Sequence, residues 1–110
     1  MSESLESLMS RLQAEYLNEI PQRLEELRTV LSEYAKEQAG AGKRLHVLFH
    51  RLAGSAGAYG FGGVTDCCRT AEGMLQGPAS PPEVTQQLKS LIEKIEETFA
   101  AGPTTFPIAP

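Results

Sequence analysis

This 110-residue chain has few of the residues that build disulfide-stapled, metal-filled or membrane-embedded folds. Its two cysteines are adjacent, Cys67 and Cys68, which excludes a disulfide framework and fits a reducing compartment. No stretch approaches the ~18–20 apolar residues needed to cross a bilayer. The acidic, polar start MSESLESLMS does not read as a signal peptide, so no membrane association and a cytoplasmic location are expected. A net charge of −4 weighs against nucleic acid as a partner. Strand-like alternation of apolar and polar residues is missing, which leaves an all-α chain. Without strands there is no Gly-rich phosphate loop following one, so no ATP site of its own is expected. What remains, 41% hydrophobic and 22% charged, is the composition of one globular domain with a real core.

Leu5, Leu8, Met9 and Leu12 predict a short amphipathic helix. Leu17, Ile20, Leu24, Leu27, Leu31 and Tyr34 then step by threes and fours, the stripe of a bundle helix. Pro21 lies inside that stripe and either kinks a long helix or occupies the first turn of one capped by Asn18. Gly40 and Gly42 are expected to end this helix. A third helix is predicted over about 43–59 and a fourth over about 64–75, separated by Gly60-Phe61-Gly62-Gly63 and closed by Gly77-Pro78. Ser80-Pro81-Pro82-Glu83 reads as a capping box opening a last helix, with Val84, Leu88, Leu91, Ile92, Ile95 and Phe99 on its apolar face. The expected fold is an antiparallel up-down four-helix bundle with a short extra N-terminal helix, spanning 1–102. Three prolines in the final eight residues make 103–110 a Pro-rich tail or linker.

The third helix holds both histidines of the chain, His46 and His50. At about 100° per residue, Leu45, Leu48, Phe49, Leu52, Ala56 and Tyr59 gather on one arc, and His50 points about 150° away from its centre. Lys43 and His46 precede it on the same side, and Ala53, Gly54 and Gly57 come after it. A glycine inside a helix costs about 1 kcal/mol relative to alanine. Two of them beside an outward histidine suit close approach by another protein. Residues 41–70 carry Lys43, Arg44, Arg51 and Arg69 against Asp66 alone, a local +3 on an acidic chain. A nucleophilic imidazole, bare surroundings and local positive charge suit transfer of a phosphoryl group.

Simpler readings compete. An outward histidine is commonly an ordinary surface residue. His46 and His50, spaced i, i+4, can chelate a metal, with Cys67 or Cys68 adding thiolates. Yet no Glu-x-x-His motif supports a metal site inside a bundle. Adjacent helical cysteines point apart, so one of them is expected in the core rather than in redox chemistry. The Leu17–Tyr34 stripe can also belong to a docking or dimerisation module that carries no phosphoryl group.

The run from His50 to Phe61, HRLAGSAGAYGF, resembles the signature of histidine-containing phosphotransfer (HPt) domains. Its Gly60-Phe61 ending looks most like the N-terminal phosphotransfer domain of chemotaxis histidine kinases. The resemblance extends over roughly residues 5–100, including Tyr16 to Leu31 and Ala71-Glu72. It implies a four-helix phosphocarrier with His50 as phosphoacceptor through Nε2 and Gly54 as the position that admits a receiver domain. It also implies that Glu72 accepts a hydrogen bond from the other imidazole nitrogen. Lys43, His46, Arg51, Ala53, Gly54, Gly57 and Arg69 would form the docking face. Implied partners are a response-regulator receiver domain and a histidine kinase catalytic domain or hybrid-kinase receiver. No cofactor is implied on this chain, and Mg²⁺ would sit on the partner. One departure stands out: the family usually has lysine three residues after the histidine, where this chain has Ala53. Lys43, Arg51 or Arg69 would have to replace that cation, and Arg69, one turn before Glu72, is the substitute that position favours.

Overall fold

A computed structural model describes residues 3–104 and contains four helices. They are α1 (Leu5–Ala35), α2 (Ala41–Ala58), α3 (Gly62–Gln76) and α4 (Pro81–Ala101). Among the described residues there is no strand. Each helix packs on its chain neighbours and α1 closes the ring against α4, while the diagonal pairs do not pack. Short connections between successive neighbours give the expected antiparallel bundle.

The expected extra N-terminal helix is not separate. Residues 5–12 are the first turns of a continuous 31-residue α1, about 46 Å long at 1.5 Å per residue. Ser4 caps it, its hydroxyl accepting from the Ser7 N–H at 3.1 Å. Arg11 ties the first turns together through Glu3 and Glu15. Pro21 lies in the helix interior on the exposed face, and Asn18 is no cap. Proline forfeits the hydrogen bond to Leu17 there, but Tyr16, Ile20, Leu24 and Leu27 are buried on the other face and hold α1 across the lost bond.

The stop signals also move. α1 ends at Ala35, before the expected glycines, with the Lys36 N–H bonding back to Ser32. Gly40 instead precedes α2, in the left-handed region (φ 78°), and Gly42 lies inside α2. At the next corner only Gly60 has positive φ (90°), while Gly62 and Gly63 already belong to α3. Buried Phe61 fills the corner and its N–H donates to the Ala56 carbonyl at 2.8 Å. α4 opens as predicted: the Glu83 carboxylate accepts from the Ser80 N–H at 3.1 Å. Of the tail expected at 103–110, residues 105–110 lie outside the described residues.

Leu27, Leu45, Phe49, Phe61, Val64, Leu88, Ile92 and Ile95 fill the centre of the core, which contains no buried polar or charged residue among those described. Both cysteines are core residues, not one of the two. Burial raises the Cys67 thiol and pushes that of Cys68 up to about 12, far from the lowered values of reactive thiols. Tyr16 links the front of α1 to the end of α2. It stacks on Tyr59 with centroids 4.5 Å apart, and its hydroxyl lies 2.7 Å from Ser55 Oγ. The apolar stripe of α1 is thus spent inside the bundle, and its position is that of a core face.

Candidate functional site

Leu45, Phe49, Leu52 and Ala56 are buried and lock the rotation of α2. That rotation lifts His50 onto the outer crest, with its side chain 67% exposed. α2 and α3 form the most extensive helix pair of the bundle, and α3 brings Glu72 beneath the imidazole. His50 Nδ1 and Glu72 Oε2 are 3.2 Å apart. An ionised carboxylate can only accept, so Nδ1 carries the proton of a neutral imidazole in this contact. The lone pair is then on Nε2, the nitrogen turned away from the carboxylate.

Glu72 is sheltered, its side chain 13% exposed. Oε2 is also 3.7 Å from His46 Nε2, and that same nitrogen is 3.1 Å from Gln76 Nε2. Glu72 Oε1 is buried and accepts no hydrogen bond. The rings of His46 and His50 are nearly parallel, 8° apart in plane with centroids 6.4 Å apart. Gln76 was not singled out in the sequence, although it lies one helical turn beyond Glu72 and so on the same face.

The other expected site residues separate into groups. Lys43 and Arg51 are exposed and line a groove between α1 and α2 with Val30, Val47 and Leu48. Arg44, in the same groove, is paired with Glu33 at 2.6 Å. Arg69 is exposed on α3. Among the described residues, Lys43, Arg51 and Arg69 form no ion pair and make no polar contact with His50 or Glu72. Val47, one turn before His50, is 39% exposed and was also not singled out in the sequence.

Ala53 requires a correction. It is not on the exposed face but 1% exposed inside the bundle. Its carbonyl accepts from the Thr65 hydroxyl of α3 at 2.7 Å, so Ala53 belongs to the α2–α3 contact. It stands about 60° from His50 around the helix, on the side that α3 covers.

The two glycines beside His50 also differ. A Cβ on Gly57 would come within 3.0 Å of Thr65 Oγ1, so the packing of α3 itself asks for glycine. A Cβ on Gly54 would meet nothing within 4 Å. The fold has no use for glycine at Gly54, where alanine would favour the helix by about 1 kcal/mol.

Among the described residues no group of three or more His, Cys, Asp or Glu side chains could hold a metal ion. The buried cysteines are not near enough to join the histidines in one.

The architecture is that of a helical bundle displaying a largely exposed imidazole whose Nδ1 faces a sheltered carboxylate. The family model described as Hpt domain matches residues 11–98, and the chain belongs to that family. Membership means histidine phosphotransfer in phosphorelays, by a carrier without an ATP site. No curated protein and no solved structure matches the chain. No described helix is long and apolar enough to cross a membrane.

Proposed function

We propose that His50 is the phosphoacceptor, that Glu72 orients it, and that a response-regulator receiver domain docks over Gly54. The observation that carries this reading is the 3.2 Å contact between Glu72 and His50 Nδ1 beneath an exposed ring. Nε2 attacks the phosphorus of a partner's aspartyl phosphate; an N–P bond forms and the P–O bond to the aspartate breaks. The aspartate leaves as a carboxylate, while the Nδ1 proton stays on the ring against Glu72, which offsets the imidazolium charge. Transfer onward to a receiver aspartate is the reverse step. Phosphorylation by a histidine kinase catalytic domain differs only in that ADP leaves.

Mg²⁺ and most of the electrostatic stabilisation of the moving phosphoryl group belong to the partner, and this chain supplies a positioned nucleophile. Lys43, Arg51 and Val47 flank His50 on the α1 side and suit an acidic receiver surface with an apolar centre. The location is cytoplasmic, in a phosphorelay or a chemotaxis-type pathway. The helical unit through residue 102 acts as the carrier, and 103–110 serves as a tail or linker.

Incubation with a phosphorylated receiver or cognate kinase tests the reading. Acid-labile, base-stable label is expected on the wild type and absent from His50→Gln. Label of that stability on both proteins would sink the assignment.

A further inference from the structure

The Glu72 carboxylate lies between two imidazoles one helical turn apart, 3.2 Å from His50 Nδ1 and 3.7 Å from His46 Nε2. The bond to His50 engages Oε2 and leaves Glu72 Oε1 buried without a donor, an arrangement that folded proteins seldom keep. A second imidazole reaches the same carboxylate: His46 Nε2 lies 3.7 Å from Oε2, the oxygen next to the orphaned one. The His46 ring is only 29% exposed at the side chain, parallel to His50, with Nε2 turned to the carboxylate.

Whether His46 can donate depends on Gln76. The Gln76 amide nitrogen faces His46 Nε2 at 3.1 Å, which makes that ring nitrogen an acceptor. The nitrogen and oxygen of a glutamine amide occupy nearly identical positions, and their assignment is set by the hydrogen-bond network. Turned over, the amide presents its oxygen to the same atom. His46 Nε2–H then donates to Gln76 and toward Glu72. The 3.7 Å separation is to Oε2, so the carboxylate has to turn to bring Oε1 to that N–H, which Gln76 and Glu72 then share in a three-centre bond.

Resting on the reading of His50 as phosphoacceptor, we propose that His46, held by the Gln76 carbonyl, is a positioning residue. It donates Nε2–H to Glu72 and so fixes the carboxylate for His50. The two histidines then adopt opposite tautomers: Nε2–H at His46 and Nδ1–H at His50. A glutamate carboxylate on three rotatable bonds loses considerable freedom when it is aimed at one atom. A donor on each side confines it before the partner arrives. Without His46, Glu72 turns to water and part of the His50 population shifts to the tautomer with the proton on Nε2, which has no lone pair to attack.

The other charged groups near the pair leave this arrangement alone. On α2 these are Lys43 and Arg51, which line the opposite flank with Glu26 of α1. On α3, Arg69 makes no polar contact with either histidine among the described residues, and Cys68 is held neutral by burial. α4 packs on α3 and α1, not on α2.

The test uses the full chain, ¹⁵N-labelled at histidine, with phosphoramidate as a small phosphodonor that needs no docking surface. The imidazole nitrogen shifts of the wild type should show Nε2–H at His46 and Nδ1–H at His50. His46→Phe keeps a ring but removes the donor. It should mix the His50 tautomers and slow phosphorylation by about tenfold, the scale on which outer partners tune a working histidine. His46→Gln, which restores an N–H, should recover most of both. A wild-type His46 carrying its proton on Nδ1, or a folded His46→Phe with unchanged His50 tautomer and rate, would overturn the proposal. Failure of the wild type to label His50 at all would instead overturn the phosphoacceptor reading, since the tautomers are read without phosphorylation.

Discussion

The two flanks of α2 hold polar residues in opposite conditions. On the α3 flank, His46 and Glu72 are partly or largely covered, and a chain of contacts runs from exposed Gln76 through them to His50. On the α1 flank, Lys43 and Arg51 are exposed, form no ion pair among the described residues, and border Val47. His50 stands on the crest between them. The difference matches two tasks that the proposed carrier has to perform. A nucleophile needs its proton placed before the encounter, which calls for short contacts within the chain. A docking surface needs groups still free to pair with a partner, and exposed cations beside an apolar side chain provide that.

The largest expected effect comes from breaking the covered flank. Glu72→Ala should slow phosphorylation of His50 by about 10- to 100-fold, the scale on which a hydrogen-bond partner tunes a working histidine. Partner affinity should stay nearly constant, measured by calorimetry against an unphosphorylated receiver. Equal losses in rate and affinity would show that the two flanks are not divided as described.

The glycines sharpen the comparison next. Gly54→Leu should weaken receiver binding strongly yet leave the phosphoramidate reaction of His50 unchanged. Gly54→Ala should raise thermal stability by about 1 kcal/mol. Gly57→Ala should not give that gain, because its Cβ would press on Thr65 Oγ1 at 3.0 Å. Thermal melts of the two alanine variants side by side distinguish a glycine kept for a partner from one kept for packing.

Breaking the open flank should cost less. The double substitution Lys43→Glu, Arg51→Glu should reduce receiver affinity by roughly tenfold at low salt, with the difference shrinking as salt screens the charges. The His50 tautomer should not move. Affinity measurements across ionic strength, with histidine ¹⁵N shifts, report both halves.

The smallest effect lies in the core behind α3. Cys68 is raised from 9.0 to about 12, mainly by burial. A group whose folded value is raised gives stability that is complete below its unfolded value and lost as pH rises toward the folded one. Stability should therefore hold up to about pH 9 and fall between there and pH 12. Denaturant titrations should show a shallower alkaline decline in Cys68→Ala.

Much of this was legible in the sequence because helix periodicity carries direction. The apolar arc of α2 predicts His50 outside and Phe49 inside, and the structure agrees. The capping box at Ser80–Glu83 starts α4 where its residue types say it should. The unreadable parts depend on neighbours. Pro21 signals a boundary locally, but the buried residues around it keep α1 continuous. Ala53 is close to His50 on a helical wheel, yet α3 lies over it, and a wheel has no α3. Gly54 and Gly57 look alike until Thr65 is placed beside one of them. Gln76 gains meaning only when α3 sets it against His46.

The central claim is that the outer nitrogen of His50 is the nucleophile and the inner one keeps its proton against Glu72. Phosphorylating ¹⁵N-histidine protein and reading phosphorus–nitrogen couplings by NMR addresses it directly. The account predicts phosphorus on Nε2 of His50, with Nδ1 still bearing its proton. Phosphorus on Nδ1 of His50, or on His46, would contradict it.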